Sequence, residues 1–164
     1  MIRHLAGVGV DKERIKNIYC SIIRSLLEYS SVTFGPMLAQ YQANRLENIQ
    51  KKCLRSIYGS QLSYTELLSM SGLETLEDRR EKAILKFAQK AASNPQFSHW
   101  FPTNTNRSSQ RNGKKYEEKF AKSDRLYFSP LYTMRRRLNE TPDKERVLDT
   151  HDIIDLSYMF NAPK

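Results

Sequence analysis

Apolar residues recur at helical spacing through the first hundred positions of the chain. Asp11 can act as an N-cap, and the Gly35-Pro36 pair then interrupts the pattern, because proline lacks the N–H that a helix interior requires. Between them, one buried face is predicted from the i, i+3, i+4, i+7 spacing of Ile15, Ile18, Tyr19, Ile22, Ile23, Leu26 and Leu27. The pattern therefore predicts a first helix that begins at Asp11.

Two further helices follow in the next stretch of chain. The second ends before Gly59, a residue suited to the position just after a helix, and its predicted inner face is formed by Gln42, Leu46, Ile49, Cys53 and Ile57. Ser63 and Glu66 have the spacing of a capping box, which predicts a short third helix that ends at Gly72.

A fourth helix is predicted from Thr75 to the Asn94-Pro95 pair. Its expected inward face consists of Leu76, Ala83, Ile84, Phe87, Ala88 and Ala91. Trp100, with Phe97 and Phe101, is expected to plug the core beneath the helices. Leu85 lies opposite the inward face and is therefore expected to be exposed.

The pattern changes after residue 102. The stretch 103–113 is rich in Asn, Ser, Thr and Arg and has no periodicity, which indicates a loop. Ser129-Pro130 suits the start of a helix that continues through Leu131, Met134 and Leu138. The predicted fold is mainly α: a helical bundle (1–102), an irregular basic arm (103–128), and short helices with an acidic tail (129–164).

The charge of the chain is strongly positive and unevenly distributed. Its 164 residues contain 27 Lys and Arg against 18 Asp and Glu, which gives a net charge of +9. Residues 103–139 contain ten of these cations and three acids, whereas residues 140–164 have an acidic balance. Such a basic segment attracts polyanions by releasing their counterions, although a solvated polar loop would have the same composition.

Several classes of protein are excluded by composition. The chain has no collagen-like period, no apolar run of the roughly 18 residues that a membrane span needs, and no signal-peptide pattern. Its two cysteines, Cys20 and Cys53, lie far apart in helical patterns, so a reduced, intracellular protein in the nucleus or cytoplasm is expected, with no membrane partner.

Motifs that carry catalytic chemistry are missing from the sequence. It has no adjacent Asp-Asp pair, no P-loop and no Cys/His set with zinc spacing. A cluster near the C-terminus consists of Asp149, His151, Asp152 and Asp155. Its spacing spreads the carboxylates around a helix, so we predict no metal site there. We predict no catalytic residues, metal or cofactor, and expect no enzymatic activity from this chain alone.

Short stretches over nearly the whole chain, taken in order, resemble one family. Those in the first part are Ile18-Tyr19-Cys20, 23–29, Phe34-Gly35-Pro36, Leu46-Glu47, 49–52, Leu54-Arg55 and Ile57-Tyr58-Gly59. Those that follow are Tyr64, Leu67, Gly72-Leu73, Thr75-Leu76, Arg79-Arg80, Phe87-Ala88, Lys90, 116–121, Asp124-Arg125, Ser129-Pro130, Met134, Leu138-Asn139, Asp152-Ile153 and Leu156-Ser157. Together they resemble the region after the catalytic palm in reverse transcriptases of jockey-like, non-LTR retrotransposons.

The resemblance implies a fold and a role. In that family the palm carries the metal-binding carboxylates, and the region similar to this chain is the helical thumb and C-terminal extension of an RNA-directed DNA polymerase. Because this chain begins where the palm would have ended, polymerase activity is not implied for it. The implied role is to grip template-primer, as RNA or an RNA/DNA hybrid, beside a palm domain. A 5′-truncated copy of such an element would encode a fragment of this kind.

Ten cations are the predicted nucleic-acid-binding residues: Lys51, Lys52, Arg55, Arg79, Arg80, Lys114, Lys115, Arg135, Arg136 and Arg137. For each set a plainer explanation exists. The second helix could simply be solvated there, Arg79-Arg80 could pair with Glu74 or Glu77, and the triple arginine could face the acidic tail. Four aromatics of the arm could stack on bases or anchor the arm to the body: Tyr116, Phe120, Tyr127 and Phe128.

Two kinds of function remain open at this stage. The first is a non-catalytic fragment that grips nucleic acid mainly through phosphate contacts. The second is a helical protein-interaction module, or a relic without function, in which apolar surface once covered by the palm is exposed. The expected exposure of Leu85 is the sequence feature that favours the second.

Overall fold

The computed structural model describes residues 1–104, 114–118 and 120–141, and the fold is mainly α, as predicted. The α-helices are α1 (Ile2–Gly7), α2 (Lys12–Ile18), α3 (Ser25–Glu28), α4 (Ser31–Phe34), α5 (Gln40–Tyr58), α6 (Tyr64–Ser71), α7 (Leu76–Ser93), α8 (Asp124–Tyr127) and α9 (Pro130–Glu140). A π-helical segment, Tyr19–Arg24, joins α2 to α3, and 3-10 turns span Gly35–Met37 and Ser98–Trp100. The described residues form no β-strand beyond one isolated bridge between Thr103 and Tyr116.

Most predicted helix boundaries are confirmed by their capping interactions. The Asp11 carboxylate accepts hydrogen bonds from the backbone N–H groups of Glu13 and Arg14 at the start of α2. Ser63 and Glu66 form the predicted capping box of α6, and Gly72 ends that helix in the left-handed conformation at φ +65°. These contacts are local, so the sequence pattern alone identifies them.

The structure has a helix before Asp11 that the sequence pattern missed. Helix α1 is short, and Gly7 ends it rather than preventing it. Ile2 is buried in a cluster with Ile15, Tyr19 and Ile57, so α1 packs on α2 and α5. Tertiary contact stabilises a helix of this length, which would be marginal in isolation.

The predicted apolar face between residues 15 and 27 is only partly buried. Ile15 and Tyr19 are buried, whereas Ile22 is exposed and the side chain of Leu26 is 73% exposed. The π-helical segment has more residues per turn than an α-helix, so it rotates the later positions away from the core. The prediction of one continuous buried face was therefore wrong for Ile22 and Leu26, whereas Ile23 and Leu27 are half-buried and Ile23 packs against the cluster.

The inner face of α5 also differs from the predicted one. Gln50, Leu54 and Ile57 are buried, whereas Ile49, predicted to lie inside, is 40% exposed. The observed inner face is rotated about the helix axis relative to the predicted one, because Gln50, a polar residue, occupies the centre of the contact with neighbouring helices. A periodicity argument based on apolar residues does not place a glutamine there.

Besides the cluster around Ile15 and Tyr19, the chain has a second hydrophobic core, which lies between α7 and α9. Ile84, Ala88 and Ala91 of α7 pack with Met134 and Leu138 of α9, as the spacing on each helix predicts. Phe101 belongs to the same core, and Phe97 and Trp100 pack against it in half-buried positions. The predicted exposure of Leu85 was wrong, because its side chain is half-buried and packs against this cluster.

Some predictions fall outside the described residues. The loop predicted over 103–113 is described only at its first two positions, Thr103 and Asn104. The acidic tail is described only at Glu140 and Thr141; Arg137 of the triple arginine pairs with Glu140, and contacts with the rest of the tail stay a prediction. The boundaries of the three predicted regions likewise remain predictions.

Candidate nucleic-acid interface

Three exposed cations share one side of α5. Arg45, Lys52 and Arg55 are all exposed, and none of them makes an ion pair or side-chain hydrogen bond within the described part of the chain. At 100° per residue they lie within an arc of about 80°, and their Cα atoms span about 15 Å along the helix axis. We call this set the outer face of α5. Lys52 and Arg55 were predicted, whereas Arg45 was missed.

Lys51 has a different environment from Lys52, although the two are adjacent. Its side chain is half-buried, and Nζ lies 5.8 Å from the centre of the Tyr64 ring on α6. Burial, together with a hydrogen bond to Glu47, raises the pKa of Tyr64, so the phenol stays protonated. Lys51 therefore borders the outer face of α5 but is drawn toward α6 by a cation–π contact.

Arg79 and Arg80 do not pair with the local acids that the sequence suggested. The Arg79 guanidinium forms a bidentate ion pair with Glu28 of α3, in which Nη2 lies 3.0 Å from Oε2. The hydrogen bond to Glu28 raises the pKa of Arg79. Glu74, one of the suggested partners, pairs with Lys82 instead.

Arg80 is buried, with 6% of its surface exposed. Its Nη1 atom has no hydrogen-bond partner in the described part of the chain. The aliphatic stem packs under Gly35, where a Cβ atom would lie 3.6 Å from Cδ of Arg80. Neither Arg79 nor Arg80 thus presents a free cation on the surface.

The three consecutive arginines of α9 each have a different partner. Arg135 Nε donates a 2.8 Å hydrogen bond to the backbone oxygen of Trp100. Arg137 pairs with Glu81 of α7 at 2.8 Å and with Glu140 at 3.0 Å. The Arg136 guanidinium carbon lies 4.3 Å from the centre of the Tyr127 ring. Consecutive arginines cannot share one helix face, and the structure shows where each is held.

Asn139 anchors the described part of the basic arm to α9. Its Oδ1 accepts from the Tyr116 backbone N–H at 2.9 Å, and its Nδ2 donates to the Tyr116 oxygen at 3.0 Å and to Glu118 at 2.8 Å. Lys114 pairs with Glu118 at 2.5 Å, and Lys115 Nζ lies 5.6 Å from the Tyr116 ring. The role of Asn139 could not be predicted from the sequence pattern, because the partners of its side chain, Tyr116 and Glu118, lie more than twenty residues away.

The aromatics of the arm divide into anchoring and exposed groups. Tyr116 meets Phe101 edge to face, with the ring centres 6.0 Å apart, and packs against the second core. In contrast, the side chains of Phe120, Tyr127 and Phe128 are exposed, Phe120 to 88%. Only Tyr116 is thus placed as an anchor to the body.

A groove of about 340 Å³ lies between residues 114–118 and 120–121 of the arm on one side and α8 and α9 on the other. Aromatic and basic side chains dominate its lining, which includes Lys114, Phe120, Tyr127, Tyr132 and Arg136. Glu118 also lines the groove. Burial opposes its ionisation, but hydrogen bonds from Asn139 and Lys114 outweigh that effect and lower the pKa of the carboxyl.

The structure brings the predicted cations together in two places. Lys51, Lys52 and Arg55 lie on α5, and Lys114 and Arg136 line the groove. Within the described ranges, no three metal-ligating side chains form a group, and the predicted absence of a site at 149–155 falls on residues that are not described. Among the helices of the described residues, none is sufficiently long and apolar to span a membrane.

Comparison with known proteins gives no match: no family model fits the chain, and no curated protein or solved structure is similar to it.

Proposed function

We propose that this chain is a non-catalytic nucleic-acid-binding module that grips the phosphates of RNA or an RNA/DNA hybrid. The proposal extends to a parent protein: the thumb region of a retrotransposon RNA-directed DNA polymerase, in which a separate palm domain carries the catalysis. The observation that carries the binding proposal is the outer face of α5, where Arg45, Lys52 and Arg55 have no acidic partner within the described residues.

The geometry of these cations suits a sugar-phosphate backbone. A span of about 15 Å along one helix side compares with a rise of about 3.4 Å per phosphate on one strand of B-form DNA, so on a duplex of this scale the three side chains could reach several successive phosphates. Arg79, in contrast, is already neutralised by its ion pair with Glu28. The outer face of α5 is thus left with charge available for a polyanion, and its contacts would be insensitive to base sequence.

The experiment is a salt titration of binding to three fluorescent probes: an RNA hairpin, an RNA/DNA hybrid and a DNA duplex. Between about 50 mM and about 200 mM salt, we expect the logarithm of the association constant to fall steeply and linearly with the logarithm of the salt concentration. We call the slope of this line the salt slope. Three phosphate contacts correspond to a slope of about −2.7 on B-form duplex. A flat salt response, or no binding to any probe at the lowest salt, would contradict the proposal.

Protein interaction is the second candidate function, and exposed apolar residues favour it. Ile22, Leu26 and Tyr29 lie at i, i+4 and i+7 spacing and are all exposed, Leu26 and Tyr29 to more than 70%. This candidate predicts that a second copy covers these residues, so the mass measured by light scattering should double with rising concentration and return to that of a monomer in Leu26→Ser. A monomer of wild-type chain at every concentration contradicts it.

A further inference from the structure

We propose that the groove between the arm and α9 binds an unpaired base of a single-stranded nucleic acid. The inference rests on the proposed function and specifies it further, because it assigns a second contact that duplex nucleic acid cannot make. The groove volume of about 340 Å³ is near the lower end of the range for small-molecule sites, which begins at roughly 300 Å³. One nucleotide is a ligand of suitable size.

The groove offers flat surfaces on which a base can stack. The Arg136 guanidinium covers one part of the Tyr127 ring at 4.3 Å, and Phe128 meets the same ring edge to face with centres 5.0 Å apart. Phe120 lines the groove and is the most exposed large apolar side chain among the described residues, at 88%. Aromatic rings and guanidinium planes are the groups on which proteins stack unpaired bases.

The charges around the groove are compatible with a nucleotide. Glu118 is the one acidic side chain in the described lining, and Lys114 and Asn139 already bind it. Arg136 forms no ion pair within the described residues, so its charge is available to the phosphate of a stacked nucleotide. Asn139 also holds Tyr116 through two hydrogen bonds, which fixes one side of the groove before any ligand arrives.

The test compares two RNA probes of similar length, a single strand and a blunt-ended duplex that has no unpaired bases. Phe120→Ala should lower affinity for the single strand by about tenfold and leave affinity for the duplex unchanged. Because Phe120 carries no charge, the salt slope should stay that of the wild type. The control is Met70→Ala, which removes an exposed apolar side chain from α6 and should change neither affinity.

A second variant tests the guanidinium plane separately from its charge. Arg136→Lys keeps the charge and loses the planar stack, so single-strand affinity should fall while the salt slope is kept. Circular dichroism of each variant establishes that the helices are intact. Single-strand affinity equal to wild type in both variants overturns the groove inference, and the proposed function survives if wild-type binding is still salt-dependent. If wild-type chain binds neither probe, the proposed function itself fails.

Discussion

The Tyr19 hydroxyl donates a 2.7 Å hydrogen bond to Oε1 of Gln50, and both side chains are fully buried. Gln50 Nε2 in turn donates to the Tyr64 hydroxyl and to the backbone oxygen of Glu74, each at 2.9 Å. Tyr64 donates to Glu47, which also accepts from the first backbone N–H of α7. One buried polar network therefore connects the π-helical segment with α5, α6 and α7, and it fixes which side of α5 faces solvent.

Removing the Tyr19 hydroxyl should destabilise the fold. In Tyr19→Phe the buried Oε1 of Gln50 loses its donor, so the free energy of unfolding should fall by about 1–3 kcal/mol. Urea denaturation followed by circular dichroism measures the change. Tyr29→Phe is the matched control, because Tyr29 is exposed and its change should stay within about 0.5 kcal/mol. Equal stability of the two variants would show that the network contributes nothing.

Arg80 should be replaceable by an apolar residue of similar length. Its guanidinium is buried and Nη1 has no partner in the described part of the chain, so Arg80→Met removes a desolvated charge while keeping the stem that packs under Gly35. We expect the midpoint of urea unfolding to stay the same or rise. A loss of about 3 kcal/mol, typical of breaking a buried ion pair, would contradict this assignment.

Arg79 should contribute to stability but not to nucleic-acid binding. Arg79→Gln breaks the half-buried pair with Glu28, which joins positions 51 residues apart, and should cost about 1 kcal/mol of unfolding free energy. RNA affinity and its salt slope should remain those of the wild type, because Glu28 already neutralises this cation. A salt slope reduced by about one in this variant would instead place Arg79 on a phosphate.

The contribution of Glu118 should depend on pH. The pKa of this carboxyl is lower in the folded chain than in the unfolded chain, so its stabilising effect is fully present above the unfolded value of about 4.3 and is lost as the pH falls through the folded value. The difference in unfolding free energy between wild type and Glu118→Gln should therefore shrink between about pH 6 and about pH 3. A difference that is constant over this range would contradict the assigned hydrogen bonds.

Local interactions made much of the fold predictable. Asp11, Ser63 and Gly72 mark helix ends because their capping partners lie within a few residues in the sequence. The π-helical segment and the buried Gln50 could not be predicted in this way. Both depend on packing between helices that are distant in sequence, and a polar residue on an inner face contradicts the apolar pattern used to find that face.

The candidate site was predictable only as a set of charges. Exposure of Lys52 and Arg55 follows from their position on α5, and Arg45 could have been found by extending the same helix face by two turns. The burial of Arg80 and the partner of Arg79 could not be predicted, because α3 and the turn at Gly35 reach them only in the folded chain. The groove likewise depends on Asn139 holding the arm to α9.

The central claim is that the outer face of α5 contacts phosphates. The most direct test is to neutralise this face and measure the salt slope of RNA binding. The test variant carries Arg45→Gln, Lys52→Gln and Arg55→Gln. The control carries Lys12→Gln, Lys86→Gln and Lys90→Gln, which removes the same charge from exposed positions on α2 and α7. We predict a slope less negative by about 2 to 3 in the test variant and close to wild type in the control. Equal slopes in the two variants would mean that net charge alone attracts RNA and that α5 makes no phosphate contacts.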